Sequence, residues 1–200
     1  MVDSLPFSQA CENNKGPILD VLRRHLQTSA TLLEIGGGTG QHAVHFASEF
    51  PTLHWQSSDV PENVAQLNLR IGVAGLPNLP LALPLDVNET CWPGEIVDAI
   101  FSANSLHIMS QNSVRNFFSG VGRCLQSGGL LLVYGPFKYN GSFTTESNAQ
   151  FECWLKGRNP ESGVRDFEWV NELATAQGLD LLEDNGMPAN NQLLVWKRAR

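Results

Sequence analysis

Leu32-Leu33-Glu34-Ile35-Gly36-Gly37-Gly38-Thr39-Gly40 is the stretch that decides the fold of this 200-residue chain. Its apolar residues surround one acid and predict a short buried strand, and the glycines allow a sharp turn and a close approach of the backbone to a ligand. A helix is predicted next, because apolar side chains recur at helical spacing at Ala43, Phe46, Ala47 and Phe50. A strand, a glycine loop and a helix form the unit that binds a ligand at the carboxyl end of the strand in an open α/β sheet.

The spacing of the glycines separates three kinds of ligand site. A dinucleotide fingerprint requires glycines at the first, third and sixth places, and the sixth place counted from Gly36 is Gln41. A P-loop requires a lysine where Gln41 again stands. What remains is Glu34 two residues before glycines at alternate positions, which resembles the first motif of class I S-adenosylmethionine-dependent methyltransferases. The alternative is a glycine loop that only turns the chain.

The composition narrows the class of protein further. With 42% hydrophobic residues, the chain is expected to form one globular domain over residues 1–200. A formal net charge of -7 argues against a broad nucleic-acid-binding face. Neither a membrane-spanning apolar run nor a signal-peptide pattern is present, so a cytoplasmic protein without a membrane partner is expected. The cysteines are dispersed without a Cys-x-x-Cys pair and predict free thiols and no metal site: Cys11, Cys91, Cys124 and Cys153.

Residues 1–28 are predicted to form an N-terminal flap and helix. The polar residues 4–16 are expected to be irregular, and Pro17 is expected to open the helix. The segment around Asn14 and Lys15 is dense in hydrogen-bonding groups. It is interpreted either as a solvated leader or as a flap that folds over the glycine loop and contacts substrate.

The acidic residue Asp59 is predicted to lie at the end of the second strand. Residues 53–57 indicate this strand, and Asp59 follows it 19 residues after Gly40, where a nucleoside ribose presents its hydroxyls to a carboxylate. The competing interpretation is a helix cap, because Pro61 can begin the next helix. The two roles are compatible, and the spacing favours the ribose role.

The third strand is predicted within residues 76–86, and its prolines confine it to a sheet edge because they cannot donate to a ladder. Asp86 ends this strand. We expect its carboxylate to accept from an adenine amino group, with Val87 beside the ring; a turn acid is the alternative.

Residues 96–104 predict the central fourth strand, which is rich in apolar and β-branched residues. Its tip carries Asn104 and His107. In a doubly wound sheet this tip borders the glycine loop, so the side chains can meet both cofactor and substrate. Asn104 and His107 are therefore the candidate catalytic residues, with His107 as a base or an orienting group, or else as a structural histidine.

A helix over residues 114–125 is predicted to stop at Gly128-Gly129, before a fifth strand over residues 130–134. The segment 138–165 that follows is long for a strand-to-helix connection and is predicted to cover a substrate pocket. A surface helix with its own apolar cluster is the alternative. The candidate substrate residues in this segment are Tyr139, Ser147, Asn148 and Trp154.

Asp166 is predicted to cap the last helix. Residues 179–182 and 192–196 then predict two final strands, and a parallel sixth with an antiparallel seventh strand would bring their connection to the ligand end of the sheet. Asn190 and Asn191 are candidate substrate residues there, although a turn explains adjacent asparagines equally well.

Beyond the glycine loop, the chain resembles a family of methyltransferase-like proteins of unknown substrate that carries a domain-of-unknown-function label. The segments that carry the resemblance are Asn14-Lys15, Pro17-Ile18-Leu19, residues 33–42, Trp55-Gln56, Ser58-Asp59, Asn104, His107-Ile108, Tyr134-Gly135-Pro136-Phe137, Ser147-Asn148 and Met187-Pro188-Ala189-Asn190-Asn191. Two places depart from the family pattern: Asn13 stands where arginine is expected, and Ser110-Gln111 replaces a proline and a tryptophan. Both departures concern the acceptor side.

The resemblance implies a Rossmann-like class I methyltransferase fold of the α/β class. This fold has a seven-stranded, mostly parallel sheet with an antiparallel last strand and helices on both faces. The resemblance also implies S-adenosyl-L-methionine as cofactor and S-adenosyl-L-homocysteine as product. The residues expected to contact the cofactor are Glu34, Gly36, Gly37, Gly38, Gly40, His42, Asp59, Asp86, Val87 and Asn104.

The predicted reaction is methyl transfer to a small-molecule acceptor. A sulfonium is already a good leaving group, so alignment and exclusion of water are sufficient and no enzyme nucleophile is required. The chain lacks the Asp/Asn-Pro-Pro-Tyr/Phe signature of many amino-group methyltransferases, since Asn104 is followed by Ser105. A non-catalytic S-adenosylmethionine-binding protein and a nicotinamide-dependent Rossmann oxidoreductase are the alternatives.

Overall fold

A computed structural model describes residues 5–92 and 96–199, so the first four residues of the predicted 1–28 unit lie outside the described part. Seven strands form the central sheet: β1 (Thr31–Ile35), β2 (His54–Asp59), β3 (Leu83–Pro84), β4 (Val97–Ala103), β5 (Leu125–Gly135), β9 (Leu179–Met187) and β10 (Asn191–Arg198). Their order is β3-β2-β1-β4-β5-β10-β9. The first five strands pair in parallel, and β10 is antiparallel to both β5 and β9. The predicted sheet, including an edge position for the third strand, is confirmed.

Helices cover both faces of this sheet, as predicted. The helices α1 (Gln9–His25), α2 (Gln41–Glu49) and α3 (Pro61–Ala74) pack on one face, and α4 (Gln111–Cys124) and α6 (Phe167–Thr175) pack on the other. Alternate strand residues supply the two cores: Leu32 and Phe101 face the first set of helices, and Leu33 and Ile100 face the second. In the described part of the chain no helix has the length and apolarity needed to cross a membrane.

The connection between β5 and α6 contains structure of its own. It forms β6 (Phe137–Tyr139), β7 (Ser142–Phe143), α5 (Glu146–Arg158) and β8 (Arg165–Asp166). The three short strands make a second sheet in the order β7-β6-β8. The helix α5 is 13 residues long.

The prediction that Pro17 opens the first helix is wrong, because α1 begins eight residues earlier, at Gln9. Ser8 caps the helix by accepting from the backbone N–H of Cys11, so residues 9–16 are helical rather than irregular. Pro17 inside the helix removes a hydrogen-bond donor. Side chains of α2 bond to the turns before it: Gln41 Nε2 donates to Glu12, and His42 Nε2 lies within hydrogen-bond distance of Asn14 Oδ1.

The predicted helix stop at Gly128-Gly129 is also wrong, because α4 ends at Cys124 and β5 already begins at Leu125. The pairing register with β4 shifts here, so the glycines lie in an irregular part of the strand. Gly128 has a φ of 77°, and a Cβ on Gly129 would lie 2.9 Å from the carbonyl oxygen of Asp98. The glycines therefore permit a strand irregularity instead of ending a helix.

Asp166 is the N-cap residue of α6, as predicted, but its side chain makes no capping hydrogen bond to the helix. Its Oδ2 instead accepts from the backbone N–H of Gly141 at 2.8 Å. Asp166 therefore joins the small sheet to the turn that follows β6.

Candidate functional site

The glycine loop follows β1 and is folded back on β2. Gly36, Gly38 and Gly40 have φ values of 80°, 55° and 75°, which only glycine adopts without strain. The backbone N–H groups of Gly36 and Gly37 both donate to the carbonyl oxygen of Ser58, at 3.0 and 2.9 Å. The Gly40 N–H donates to the Gly37 carbonyl. Much of the hydrogen-bonding capacity of the loop backbone is thus used within the protein.

Asp59 lies at the end of β2 and is only 7% exposed. Its Oδ2 accepts from the Gly38 N–H at 2.7 Å, and its Oδ1 accepts from the Val60 N–H and from Asn63 Nδ2, both at 2.8 Å. The carboxylate therefore contacts the glycine loop and also bonds at the start of α3. The predicted contact with a ribose remains a prediction.

Glu34 is the acid inside β1, and its carboxylate is buried beneath the loop. Its Oε2 accepts from Ser57 Oγ at 2.7 Å and from Trp55 Nε1 at 3.0 Å. Burial raises the pKa of Glu34 to about 7; the two hydrogen bonds lower it, and the nearby carboxylate of Asp59 raises it further. The site thus contains an acid that changes its charge near neutral pH.

Asp86 lies beyond the edge strand β3, where the third strand end was predicted. Its Oδ1 accepts from both the backbone N–H and the side-chain amide of Asn88, each at 2.9 Å. This is the turn arrangement that was the alternative interpretation. Val87 is buried beside it, and the predicted adenine contact remains a prediction for both residues.

The tip of β4 touches the glycine loop. Asn104 adopts a left-handed φ of 57°, and its N–H donates to the Tyr134 carbonyl at 2.8 Å. A Cβ added to Gly36 would lie 2.5 Å from Ser105 Oγ, so glycine is required for this approach. The sheet order therefore brings the ends of β1 and β4 together, at the position where open α/β sheets bind ligands.

His107 is 5% exposed at this tip. Its ring packs edge-to-face against Phe151 of α5 with a centroid separation of 5.3 Å. Burial, assisted by the charge of Arg165, lowers the pKa of His107 from 6.5 to about 4. The imidazole is therefore neutral at pH 7, and one ring nitrogen is available as a hydrogen-bond acceptor.

A short segment of the insertion holds the backbone around His107. Four consecutive carbonyl oxygens, those of residues 106–109, accept hydrogen bonds from residues 162–165. The donors are Arg165 Nε to Leu106, the Gly163 N–H to His107, Ser162 Oγ to Ile108 and Arg165 Nη2 to Met109. Glu152 of α5 in turn accepts from the Val164 N–H at 2.5 Å. We call residues 162–165 the clamp, because they fix the loop that carries His107.

A buried polar cluster joins α1 and α2 to the strand ends. His42 Nε2 and Asn14 Oδ1 are 2.7 Å apart, and burial lowers the pKa of His42 to about 4. Burial raises the pKa of Tyr134, while hydrogen bonding to Asn14 and Asn191 opposes this rise. Two predicted substrate residues, Asn14 and Asn191, thus lie near a predicted cofactor residue, His42.

Gln41 links the loop to the N-terminal segment. Its Nε2 donates to Glu12 Oε1 at 2.7 Å, and its Oε1 accepts from the Ser8 N–H at 2.6 Å. Lys15 does not reach the loop directly, because its Nζ pairs with Glu12 Oε2 at 2.5 Å. The predicted substrate residue Lys15 is therefore connected to the loop through Glu12 and Gln41.

Three other predicted substrate residues meet above the sheet. Asn148 Nδ2 donates to the Asn190 carbonyl at 3.0 Å, and Asn190 Nδ2 donates to Ser147 Oγ at 3.2 Å. Asn190 has a left-handed φ of 58° in the turn between β9 and β10. The beginning of α5 is therefore fastened to this turn.

Tyr139 and Trp154 are not brought to this group. The Tyr139 hydroxyl donates to Asp184 Oδ2 at 2.7 Å, and burial and that carboxylate both raise the pKa of Tyr139. Asp184 belongs to β9, four strand positions from β1, which corresponds to roughly 19 Å. Trp154 is 53% exposed and stacks between Phe151 and Arg158 on the outside of α5.

The site predicted from sequence omits three residues that shape it: Ser105, Tyr134 and Arg165. Ser105 contacts Gly36, Tyr134 accepts from Asn104, and Arg165 binds two carbonyls of the His107 loop. The signal for Tyr134 was its position at a predicted strand end. Arg165 gave no comparable signal, because its partners are backbone carbonyls that any residue supplies.

The fold is shared with solved methyltransferase structures. An O-methyltransferase family protein from Burkholderia thailandensis superposes with a TM-score of 0.81 at 17% identity, over 92% of this chain and 56% of that chain. An O-methyltransferase family 2 protein from Planctomyces limnophilus, in complex with apigenin, gives 0.79 at 18% identity, over 95% of this chain and 58% of that chain. The structure described as PigF with SAH superposes with a TM-score of 0.77 at 16% identity, over 91% of this chain and 55% of that chain.

This chain therefore spans little more than half the length of these proteins, and at such identities the likeness establishes the class I methyltransferase fold alone. The sequence itself matches one family over residues 5–198, nearly its whole length. The chain belongs to the DUF938 family, which is described as a protein of unknown function.

Proposed function

We propose that this protein is an S-adenosylmethionine-dependent methyltransferase that acts on a small-molecule acceptor. The observation that carries the proposal is the hydrogen bonding of the glycine loop. In loops that bind phosphate, backbone N–H groups point at the ligand. Here the N–H groups of Gly36, Gly37, Gly38 and Gly40 all have protein acceptors. Such a loop suits a cofactor without phosphate and disfavours a nicotinamide dinucleotide.

The residues present fit S-adenosylmethionine. A Cβ added to Gly38 would meet no atom within 4 Å, so the loop faces open space at this point. Asp59 places a carboxylate at the end of β2, and its charge complements the ammonium and sulfonium groups of the cofactor, while Glu34 lies buried beneath the loop in the adjacent strand β1. When bound, this cofactor supplies an electrophilic methyl group on a good leaving group. Glu34, Gly38, Asp59 and Asp86 would hold it.

The roles of the chain's own residues follow from the tip of β4. We assign Asn104 to the cofactor side and His107 to the acceptor side. A neutral, buried imidazole can accept a hydrogen bond from a hydroxyl or thiol, and its pKa of about 4 makes it a weak base. His107 therefore orients the acceptor and limits its motion, with Phe151 excluding water from the ring.

The solved structures that share this fold support the proposal. They include O-methyltransferase family proteins, and one is described with SAH. A second candidate is a non-catalytic S-adenosylmethionine-binding protein. It is favoured by the burial of His107 beneath Phe151, which leaves the ring only 5% exposed.

A transfer assay separates the two candidates. Purified protein is incubated with S-adenosylmethionine labelled in the methyl group and with fractionated small-molecule metabolites, and labelled products are counted. Under the proposal, label enters at least one fraction and His107→Ala reduces its incorporation, whereas Lys197→Ala, at an exposed position on β10, does not. If no fraction is labelled although the cofactor binds, the chain is a binding protein.

A further inference from the structure

A groove separate from the strand ends opens on the face of the sheet that α4 and α6 cover. Its volume is about 660 Å³, within the range of small-molecule sites. Neither the glycine loop nor His107 lines it. Its walls come from the first turn of α4, from β6, from α5, from the clamp and from α6.

The lining of the groove is polar and charged, whereas small-molecule sites are usually lined mainly by apolar side chains. Two of its cations are held in place by aromatic rings. The guanidinium of Arg115 lies 5.1 Å from the ring centroid of Trp169, and Lys138 Nζ lies 5.5 Å from that of Phe143. An aromatic face orients a cation but leaves its N–H groups free to bind an anion.

Neither cation is neutralised by an ion pair. In residues 5–92 and 96–199 no carboxylate lies within 4.0 Å of Arg115 or Lys138. The other two cations of the lining do have partners: Lys156 pairs with Glu152 at 2.7 Å, and Arg165 bonds to backbone carbonyls.

Two of the three acids of the groove have partners of their own. Glu152 binds Lys156 and the Val164 N–H, and Asp166 binds the Gly141 N–H. Glu161 is exposed at the rim. Arg115 and Lys138, on two different elements, are therefore cations of the lining without an ion pair within 4.0 Å in the described residues, although the charge of Lys138 also acts on Glu152 and Asp166 from farther away.

We propose that this groove is a second binding site, for a small molecule that carries a phosphate or carboxylate group. Arg115 would bind two oxygens of the anion through its guanidinium, and Lys138 would add a point charge. Gln111 and Asn112, in the first turn of α4, supply further donors at the same wall. A macromolecular anion is disfavoured, because a groove of this volume matches a small ligand.

Binding is tested by NMR on the full chain, with the Trp169 indole N–H and the Gly163 amide as reporters. Inorganic phosphate is titrated in one arm and malonate in the other at constant ionic strength, with chloride as the reference. The expected result is a saturable shift of both signals with one of the anions. Saturation by phosphate alone, or by malonate alone, identifies which anionic group the groove takes.

Two variants make the test specific. Arg115→Gln is expected to weaken binding about tenfold, because it removes a charge-assisted contact. Arg123→Gln, at an exposed position on the same helix, is the control and should bind as the wild type does. Lys138→Gln provides a second test if Arg115→Gln fails to fold. The proposal is overturned if neither anion gives a saturable shift, or if the folded Arg115 and Lys138 variants bind with unchanged affinity.

Discussion

Glu34→Gln should make the protein more stable at alkaline pH. The carboxylate of Glu34 is buried beneath the glycine loop, and its pKa in the folded protein is raised from 4.5 to about 7. A carboxyl whose pKa is raised by folding contributes stability that is fully present below pH 4.5 and is lost as the pH rises to about 7. Glutamine has nearly the same shape and can still accept from Trp55 Nε1 and Ser57 Oγ, but it never ionises.

The expected magnitude follows from this shift. A rise from 4.5 to about 7 corresponds to about 3 kcal/mol of unfolding free energy. The free energies of unfolding of the variant and the wild type should therefore be equal near pH 4.5. Above this pH the value for the variant should exceed that of the wild type by about 1.4 kcal/mol for each pH unit, until the difference levels off above pH 7. For a chain of this size the full difference equals roughly 6 to 12 °C in Tm.

The assay is thermal unfolding of both proteins by circular dichroism from pH 4.5 to 8.5. Glu89→Gln removes a carboxylate at an exposed position and serves as the control, which should follow the wild type throughout. If the Tm values of Glu34→Gln and the wild type change in parallel over the whole pH range, folding does not raise the pKa of Glu34.

Three further predictions concern the site. Asp59→Asn should weaken S-adenosylmethionine binding roughly tenfold to a hundredfold in calorimetry, because a charge-assisted contact is lost; unchanged affinity in a folded variant would remove Asp59 from the cofactor site. His107→Ala should raise KM about fivefold to thirtyfold with a smaller loss of kcat, since an orienting hydrogen bond is lost; a loss confined to kcat would identify a base instead. Arg165→Gln should speed hydrogen exchange of the Gly163 amide, which donates to the loop that Arg165 holds, and Arg158→Gln on the surface of α5 should not.

The central part of the fold could be predicted from sequence because its signals are local. An apolar strand, a glycine loop and an apolar helical face adjoin one another in residues 32–50, and the structure contains β1, the loop and α2 there. The prolines around Leu83 predicted an edge strand for the same reason, since a missing N–H excludes a central position. The position of Asp59 at the end of β2 followed from the apolar pattern that precedes it.

The parts that could not be predicted depend on distant partners. Pro17 indicates a helix start by local rules, yet α1 begins at Gln9 because hydrogen bonds to α2 hold its first turns. Gly128-Gly129 indicates a helix stop locally, whereas the neighbouring strand makes it an irregularity within β5. The clamp reaches back more than fifty residues to backbone carbonyls, which carry no residue-type signal.

Calorimetric titration of the purified chain tests whether S-adenosylmethionine is the cofactor. S-adenosylmethionine, S-adenosylhomocysteine and NAD are titrated under the same conditions into the wild type and into Asp59→Asn. We expect saturable binding of the first two ligands by the wild type, weaker binding by the variant, and no binding of NAD, because the N–H groups of the glycine loop are already bonded within the protein. Binding of NAD in preference to S-adenosylmethionine would contradict the assignment of the cofactor.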